Sequence, residues 1–371
     1  TLTVVSNDKG EYAFPAGRLE PGQYQISVRA AGFALDGAGS ATVAAGTPAK
    51  ADLKLKPAPV ATAELTNSEW LVSAPGPDDL KRGLLNCTDC HSVRRIFESK
   101  HSSEEFMAVF ERMGGYYPGA SDMQPQRLNG EHRRPAVNPA MAQAFSTYLA
   151  ALNLSAKPQH GFELKLTPRA KGRATRVIVT EYDLPRKEAL PHDVIVDADG
   201  KAWYSDFGNQ YVGMLDPKTG AVKDIAIPVL KPEQPKGGLD LEFDPQGNIW
   251  LSMMYQAGIS RIDRKTHEVK AYPFPKDWQT ASTQASMVSP QHSDVDGKVW
   301  SNNQEDHYGY RLDIASGQWE NMGQAKDPAG RQVRAYGMPT DLNNNVYQLG
   351  FSATHVGLRN AKDGLRSEDH T

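Results

Sequence analysis

The chain has 371 residues, with 41 basic against 44 acidic side chains and a net charge of −3, so there is no electrostatic case for nucleic acid. It is 39% hydrophobic and 23% charged, the composition of a globular protein, and no stretch approaches the roughly 20 apolar residues of a membrane-spanning helix. At about 150 residues per domain, this length implies two or three domains.

Residues 1–57 alternate with period two. Tyr24, Ile26 and Val28 point one way and Gln23, Gln25 and Ser27 the other, while Leu53 and Leu55 alternate with Lys54 and Lys56. Turn signals separate the runs at Asn7-Asp8-Lys9-Gly10 and Glu20-Pro21-Gly22. A small, partial β-sandwich is expected. Gly10-Glu11-Tyr12 and Leu19-Glu20-Pro21-Gly22-Gln23-Tyr24 resemble the carboxypeptidase regulatory-like domain. That resemblance implies an accessory sandwich, and no metal-ligand cluster that would accompany peptidase activity stands beside it. The run Lys56-Pro57-Ala58-Pro59-Val60-Ala61 reads as a stiff linker.

From 70 to 156 the pattern turns helical. Asp78 to Asn86 form an expected helix with Leu80, Leu84 and Leu85 inward. Ser102 to Glu105 fit a capping box, followed by Phe106, Val109, Phe110 and Met113 at helical spacing. A last helix is expected with Asn138 as N-cap, Pro139 at its first position and a stripe of Met141, Phe145, Tyr148, Leu149 and Leu152.

Both cysteines of the chain lie in Cys87-Thr88-Asp89-Cys90-His91. Two thiols at this spacing reach the two vinyl groups of a haem from one side, and an imidazole directly after the second meets the iron. A zinc half-site would want a second pair at finger-like spacing, which His101 and His132 lack. A thioredoxin-type pair would want an adjoining βαβ pattern. With Tyr148-Leu149-Ala150-Ala151-Leu152 as a closing helix, the segment resembles the class I cytochromes c. The resemblance implies one covalent haem c on Cys87, Cys90 and His91, with Met113, before Gly114-Gly115, as candidate sixth iron ligand. Met123, in Asp122-Met123-Gln124-Pro125, is the rival, and Met141 is assigned to the core of the last helix. Covalent haem attachment takes place outside the cytoplasm, so a bacterial periplasm or cell surface is expected.

Beyond a polar seam over 155–172, residues 173–371 repeat. Trp203, Trp250, Trp300 and Tyr347 are spaced by 47, 50 and 47 residues. Six before each stands Asp197, Asp244, Asp294 or Asp341; three before stands Gly200, Gly247, Gly297 or Asn344; thirteen after stands Asp216, Asp263, Asp313 or Asn360. An aspartate that opens a tight turn, a residue supplying positive φ and an aromatic that begins a strand describe one blade of a β-propeller, here about four blades and incomplete. The chain opens inside an expected strand and stops while the repeat is running, so it is read as a piece of a longer precursor.

Pro191-His192-Asp193-Val194 through Trp203, and Leu215-Asp216-Pro217-Lys218-Thr219-Gly220, resemble the virginiamycin B lyase (streptogramin lyase) family. That family implies seven blades, a histidine base and a magnesium ion held by glutamates. Its Trp-Phe-Thr-Glu loses the acid here, where Asp206, Met253, Asn303 and Gly350 stand three after the aromatic. His192, His292, Glu305 and His307 are candidates to line a central channel, and no catalytic residue is assigned.

The expected fold is therefore multidomain: a partial β-sandwich over 1–57, an all-α cytochrome c domain over 70–156, and a partial all-β propeller over 173–371. The expected function is extracytoplasmic electron transfer through haem to or from a redox partner protein, with the propeller as a platform for a small-molecule or peptide ligand. The alternative is a Mg-dependent lyase-like or oxidoreductase propeller with a tethered cytochrome.

Overall fold

The computed structural model describes residues 1–88, 91–129, 135–153, 162–324, 326, 330–332 and 335–350, with the backbone of 356–360 and 364–366. Asp89, Cys90, His132 and the side chain of Asn360 lie outside the described residues. The chain divides into two compact units, residues 1–111 with 135–183, and residues 112–134 with 184–371.

In the first unit, six short strands form three antiparallel pairs. β1 (Leu2–Val4) pairs with β6 (Ile178–Thr180), β2 (Gly22–Gln25) with β4 (Ser40–Val43), and β3 (Phe33–Leu35) with β5 (Leu55–Pro57). The helices are α1 (Asn67–Ser73), α2 (Asp78–Cys87), α3 (Arg94–Phe97), α4 (Ser103–Met113), whose last two residues are counted with the second unit, and α5 (Ala142–Leu152). The capping box expected at the start of α4 is present, with Glu105 N–H donating to Ser102 Oγ at 3.2 Å and Ser102 N–H to Glu105 Oε2 at 2.7 Å. A second box, Thr66 with Glu69, opens α1.

Two expectations shift. The last helix begins at Ala142, not at Pro139, because Asn138 Oδ1 takes the Ala140 N–H in a local turn that precedes the helix. Leu85 is 51% exposed, whereas Leu84 is fully buried. One residue is 100° of rotation, so only the 80/84 side of α2 meets the core. That core joins Trp70, Leu84, Val93, Phe97, Phe106, Phe145, Leu149 and Leu152. α2 lies so close to α5 at Gly83 that a Cβ there would stand 2.7 Å from the Phe145 ring.

The second unit is built of four four-stranded antiparallel meanders. The first holds β7 (Pro191–Val196), β8 (Ala202–Asp206), β9 (Tyr211–Leu215) and β10 (Val222–Ala226); the second β11 (Leu241–Phe243), β12 (Ile249–Ser252), β13 (Gly258–Ile262) and β14 (Val269–Pro273). The third holds β15 (Val288–Ser289), β16 (Lys298–Asn303), β17 (Tyr308–Asp313) and β18 (Trp319–Gln324); the fourth β19 (Ala335–Gly337), β20 (Val346–Gly350), β21 (Val356–Asn360) and β22 (Gly364–Arg366). Trp203, Trp250 and Trp300 are fully buried on second strands and pack against residues of the following sheet, the arrangement of a propeller-like β fold.

The repeat explains the turns. Asp197 Oδ1 takes the N–H groups of Asp199 and Lys201, and Asp244 Oδ1 those of Gln246 and Asn248. Gly200, Gly247, Gly297 and Asn344 all have positive φ, between 58° and 80°. In the outer hairpins, Gly220 and Gly317 have positive φ, and in the second sheet His267 takes the same conformation at 63°.

Candidate functional site

α2 delivers Cys87 at its C-terminal end, half-buried against the helical core, with Sγ 3.8 Å from Gly83 O. His91 follows just beyond the helix, and its Nδ1 lies 3.0 Å from Ser92 O. A carbonyl can only accept, so this contact calls for a proton on Nδ1 and leaves Nε2 as the nitrogen a metal could take. That is the tautomer a metal-ligating histidine needs, with the ring oriented by a backbone acceptor. Ser92 Oγ and the Val93 N–H both donate to Asn67 Oδ1, at 3.1 Å each, which ties the segment after the motif to α1. Cys87 and His91 thus fit a c-type haem; the second thiol, Cys90, lies outside the described residues. Met113 ends α4 and is half-buried, whereas Met123 is 60% exposed on a loop. Both belong to the second unit, and Cys87 and His91 to the first. Met141 caps α5 and is half-buried.

A second cluster of titratable groups gathers on, and just before, the first strands of the sheets. His192 Nδ1 meets Asp193 Oδ1 at 2.8 Å, and its ring tilts against Phe207 with centroids 4.7 Å apart. The Val288 N–H donates to Asp240 Oδ2 at 2.7 Å. Burial pushes the Asp240 carboxyl up to about 8; the Val288 N–H opposes this, while the charges of Glu242 and Asp193 add to it. Burial also raises Glu242, against a hydrogen bond from Gln291, and raises Tyr336, which feels Asp193 and Asp240. Of the candidate channel residues, the structure brings His192 to this cluster. His292 Nδ1 lies 3.0 Å from Thr340 Oγ1, while Glu305 and His307 stand in the loop after β16, where His307 has φ of 62°. Asp193 and Asp240 each stand ten residues before their tryptophan, a repeat offset that marks both in the sequence.

Among the described residues no three His, Cys, Asp or Glu side chains converge so as to hold a metal ion. Asp206, three after Trp203, is fully buried and engaged by Arg186 Nη2 at 2.7 Å and by the N–H groups of Gly208 and Asn209, a structural role.

Residues 115–128 form a loop that no motif in the sequence marks. Tyr116 and Arg127 bridge as a short antiparallel loop, and the Leu128 N–H donates to Gly115 O at 3.0 Å. Tyr117 is fully buried in one cluster with Leu239, Met254, Tyr255, Met287 and Met338. Burial, with the charges of Tyr255 and Asp206, raises its phenol well above the ordinary tyrosine value. Gln126 fastens the loop: its Nε2 donates to Gly208 O at 2.8 Å and Lys236 O at 2.9 Å, and its Oε1 accepts the Lys236 N–H at 2.7 Å.

No family model matches the chain, and no curated protein matches it. Solved structures similar to it include virginiamycin B lyase from Staphylococcus aureus, at 19% identity and a TM-score of 0.42, over 52% of this chain and 60% of that one. A catalytically inactive variant of that enzyme with quinupristin is similar at 20% identity and a TM-score of 0.42, over 53% and 60%. A gluconolactonase from Xanthomonas campestris is similar at 11% identity and a TM-score of 0.37, over 49% and 62%. The chain spans about three fifths of the length of these structures.

Proposed function

We propose that this protein is an extracytoplasmic electron carrier that holds one haem c on its helical segment and uses its propeller-like unit as a binding platform. The observation that carries the reading is the Cys87-x-x-Cys90-His91 motif, with His91 Nδ1 3.0 Å from Ser92 O. When bound, haem supplies a one-electron couple. Cys87 and Cys90 would hold it by thioether bonds and His91 through Nε2, with Met113, or Met123, as the sixth ligand. The Ser92 carbonyl keeps the imidazole from rotating, and the core around Leu84, Phe97 and Phe145 excludes water from that side of α2. In this reading residues 1–57 are an accessory sandwich of carboxypeptidase regulatory-like type, and a periplasmic or cell-surface setting in a bacterium follows from the attachment chemistry. Among the described residues no helix is long and apolar enough to cross a membrane.

Expression with a bacterial cytochrome c maturation system tests this. A haem-stained denaturing gel should show a covalent band that is lost in Cys87→Ala, and a wild-type protein without covalent haem overturns the reading. Reduced-minus-oxidised spectra of Met113→Ala and Met123→Ala then identify the sixth ligand as the variant that loses the low-spin thioether signature.

A second reading, a propeller enzyme of lyase-like or oxidoreductase class, is favoured by one arrangement: the Asp240 carboxyl, pushed up to about 8 by burial, feels Asp193, which His192 meets at 2.8 Å, and a carboxyl so raised has the form of a proton donor. Turnover of a cyclic depsipeptide, or substrate-dependent reduction of the haem, lost in Asp240→Asn, would support it.

A further inference from the structure

Two loops of the second unit, 115–129 and 231–237, face each other across an open cleft of about 510 Å³. Both walls are held rigid from behind. Gln256, fully buried, takes the N–H groups of Leu230 and Lys231 on Oε1, at 2.8 Å each, and gives Nε2 to the carbonyls of Lys231, Gln234 and Pro235 at 2.9–3.3 Å. Gln126 locks the opposite wall to Lys236 and Gly208, and Asn129 Nδ2 donates to Glu233 O. With those groups consumed, the cleft presents Tyr116, Arg127, Glu233 and Gln234 between Pro125 and Pro235. The Arg127 guanidinium lies over the Tyr116 ring, 5.4 Å from its centroid. Gln234 is 7% exposed, and its Oε1 accepts no hydrogen bond from the described residues.

We infer that this cleft binds a neutral, polyhydroxylated ligand, a saccharide. The set of groups decides the class. A cation would meet Arg127 and an anion would meet Glu233, so a single net charge is repelled from one side whichever sign it has. A pyranose matches both: its hydroxyls donate to the Glu233 carboxylate and accept from Arg127, while its C–H face lies on Tyr116 and the prolines. Rigid walls lower the ordering cost that weak sugar binding otherwise cannot meet. The cleft shares no residue with the Cys87–His91 motif, so its occupation does not depend on haem.

Saturation-transfer NMR on the full chain, with cellobiose and maltose as probes, tests this, with titration calorimetry for affinity. The expected result is transfer to one face of the sugar, insensitive to sodium chloride, with Glu233→Gln and Tyr116→Ala each weakening binding by about tenfold. Glu233 is exposed, so the first variant leaves the fold intact, and Lys50→Ala, remote in the chain, should bind as wild type. Absence of transfer from both disaccharides at millimolar concentration overturns the proposal. So does transfer that survives both substitutions, or binding of spermidine or inorganic phosphate where neither sugar binds.

Discussion

The indole Nε1 of Trp250 donates to Asp244 Oδ2 across 3.0 Å, with both side chains buried and six residues apart. The same bond joins Trp203 to Asp197 at 2.9 Å. One carboxylate therefore closes the turn with Oδ1 and anchors the inter-sheet tryptophan with Oδ2. Asp244→Ala strands the indole N–H and the N–H groups of Gln246 and Asn248 at once. A loss of about 3 kcal/mol follows, from some 1–3 kcal/mol per buried donor left without a partner. Asp294, at the same repeat position but exposed, should cost close to nothing as Ala. Urea unfolding of the two variants followed by tryptophan fluorescence checks the contrast, and equal losses would contradict it.

That contrast also shows how far spacing reaches. The offsets located the turns and the strands because each sheet repeats the same local chemistry of Asp, positive φ and aromatic. They did not locate every bond. In the third sheet Trp300 donates to Asn344 O at 2.8 Å, and Asp296, not Asp294, takes the turn N–H of Lys298. A carbonyl from the next sheet substitutes for the carboxylate there, and a donor does not record in sequence which acceptor it finds. The Asp193 and Asp240 offset was legible in the first two copies. Burial of Tyr117 was not, since the partners of Gln126 lie 82 and 110 residues along the chain. The proposed haem attachment rests on five residues, Cys87 to His91, because covalent chemistry would fix the spacing of the two thiols.

Glu69 predicts an acid limit for the first unit. Burial alone would raise this carboxyl, but the N–H and hydroxyl groups of Thr66 and Thr167 hold it at about 2, below an ordinary 4.5. Because the native state releases this proton more readily than the unfolded chain, the stabilisation is complete above pH 4.5. It is lost as the pH falls toward 2. It amounts to at most roughly 3.5 kcal/mol, from 4.5 down to about 2 at about 1.4 kcal/mol for each tenfold change in proton affinity. Glu69→Gln should lower the midpoint of denaturation at pH 7 and flatten its decline between pH 5 and about 2. A parallel acid decline in wild type and variant would refute this role.

Asp240 carries the opposite sign. With its carboxyl raised to about 8 from 3.8, the native state keeps a proton that the unfolded chain releases. The favourable contribution is therefore whole below about pH 4 and fades as the pH climbs to about 8, above which it is gone. Asp240→Asn retains an acceptor for the Val288 N–H and cannot ionise. The variant should gain stability relative to wild type steadily from pH 5 to 8 and level off beyond. Thermal midpoints across that range check this, and a difference that does not change with pH excludes a carboxyl held protonated at Asp240.

Gln126 makes the most local prediction. Its amide donates twice and accepts once, all to backbone groups of the 208 and 236 loops, so Gln126→Ala leaves those groups to water or to no partner. At about 1 kcal/mol per bond, the 115–128 loop should lose roughly 2–3 kcal/mol of its hold. Tyr117 remains a large apolar anchor, so the sheets themselves should keep their stability. Native-state hydrogen exchange separates the two outcomes. Amides such as Tyr117 and Leu128, which bond only within the loop, should exchange faster by about 30- to 100-fold, from the same energy at 1.4 kcal/mol per tenfold. Amides of β12 and β13 should be unchanged. If β12 and β13 exchange faster to the same degree, the loop is part of the sheets' own cooperative unit and Gln126 is a core residue of the fold, not a fastening.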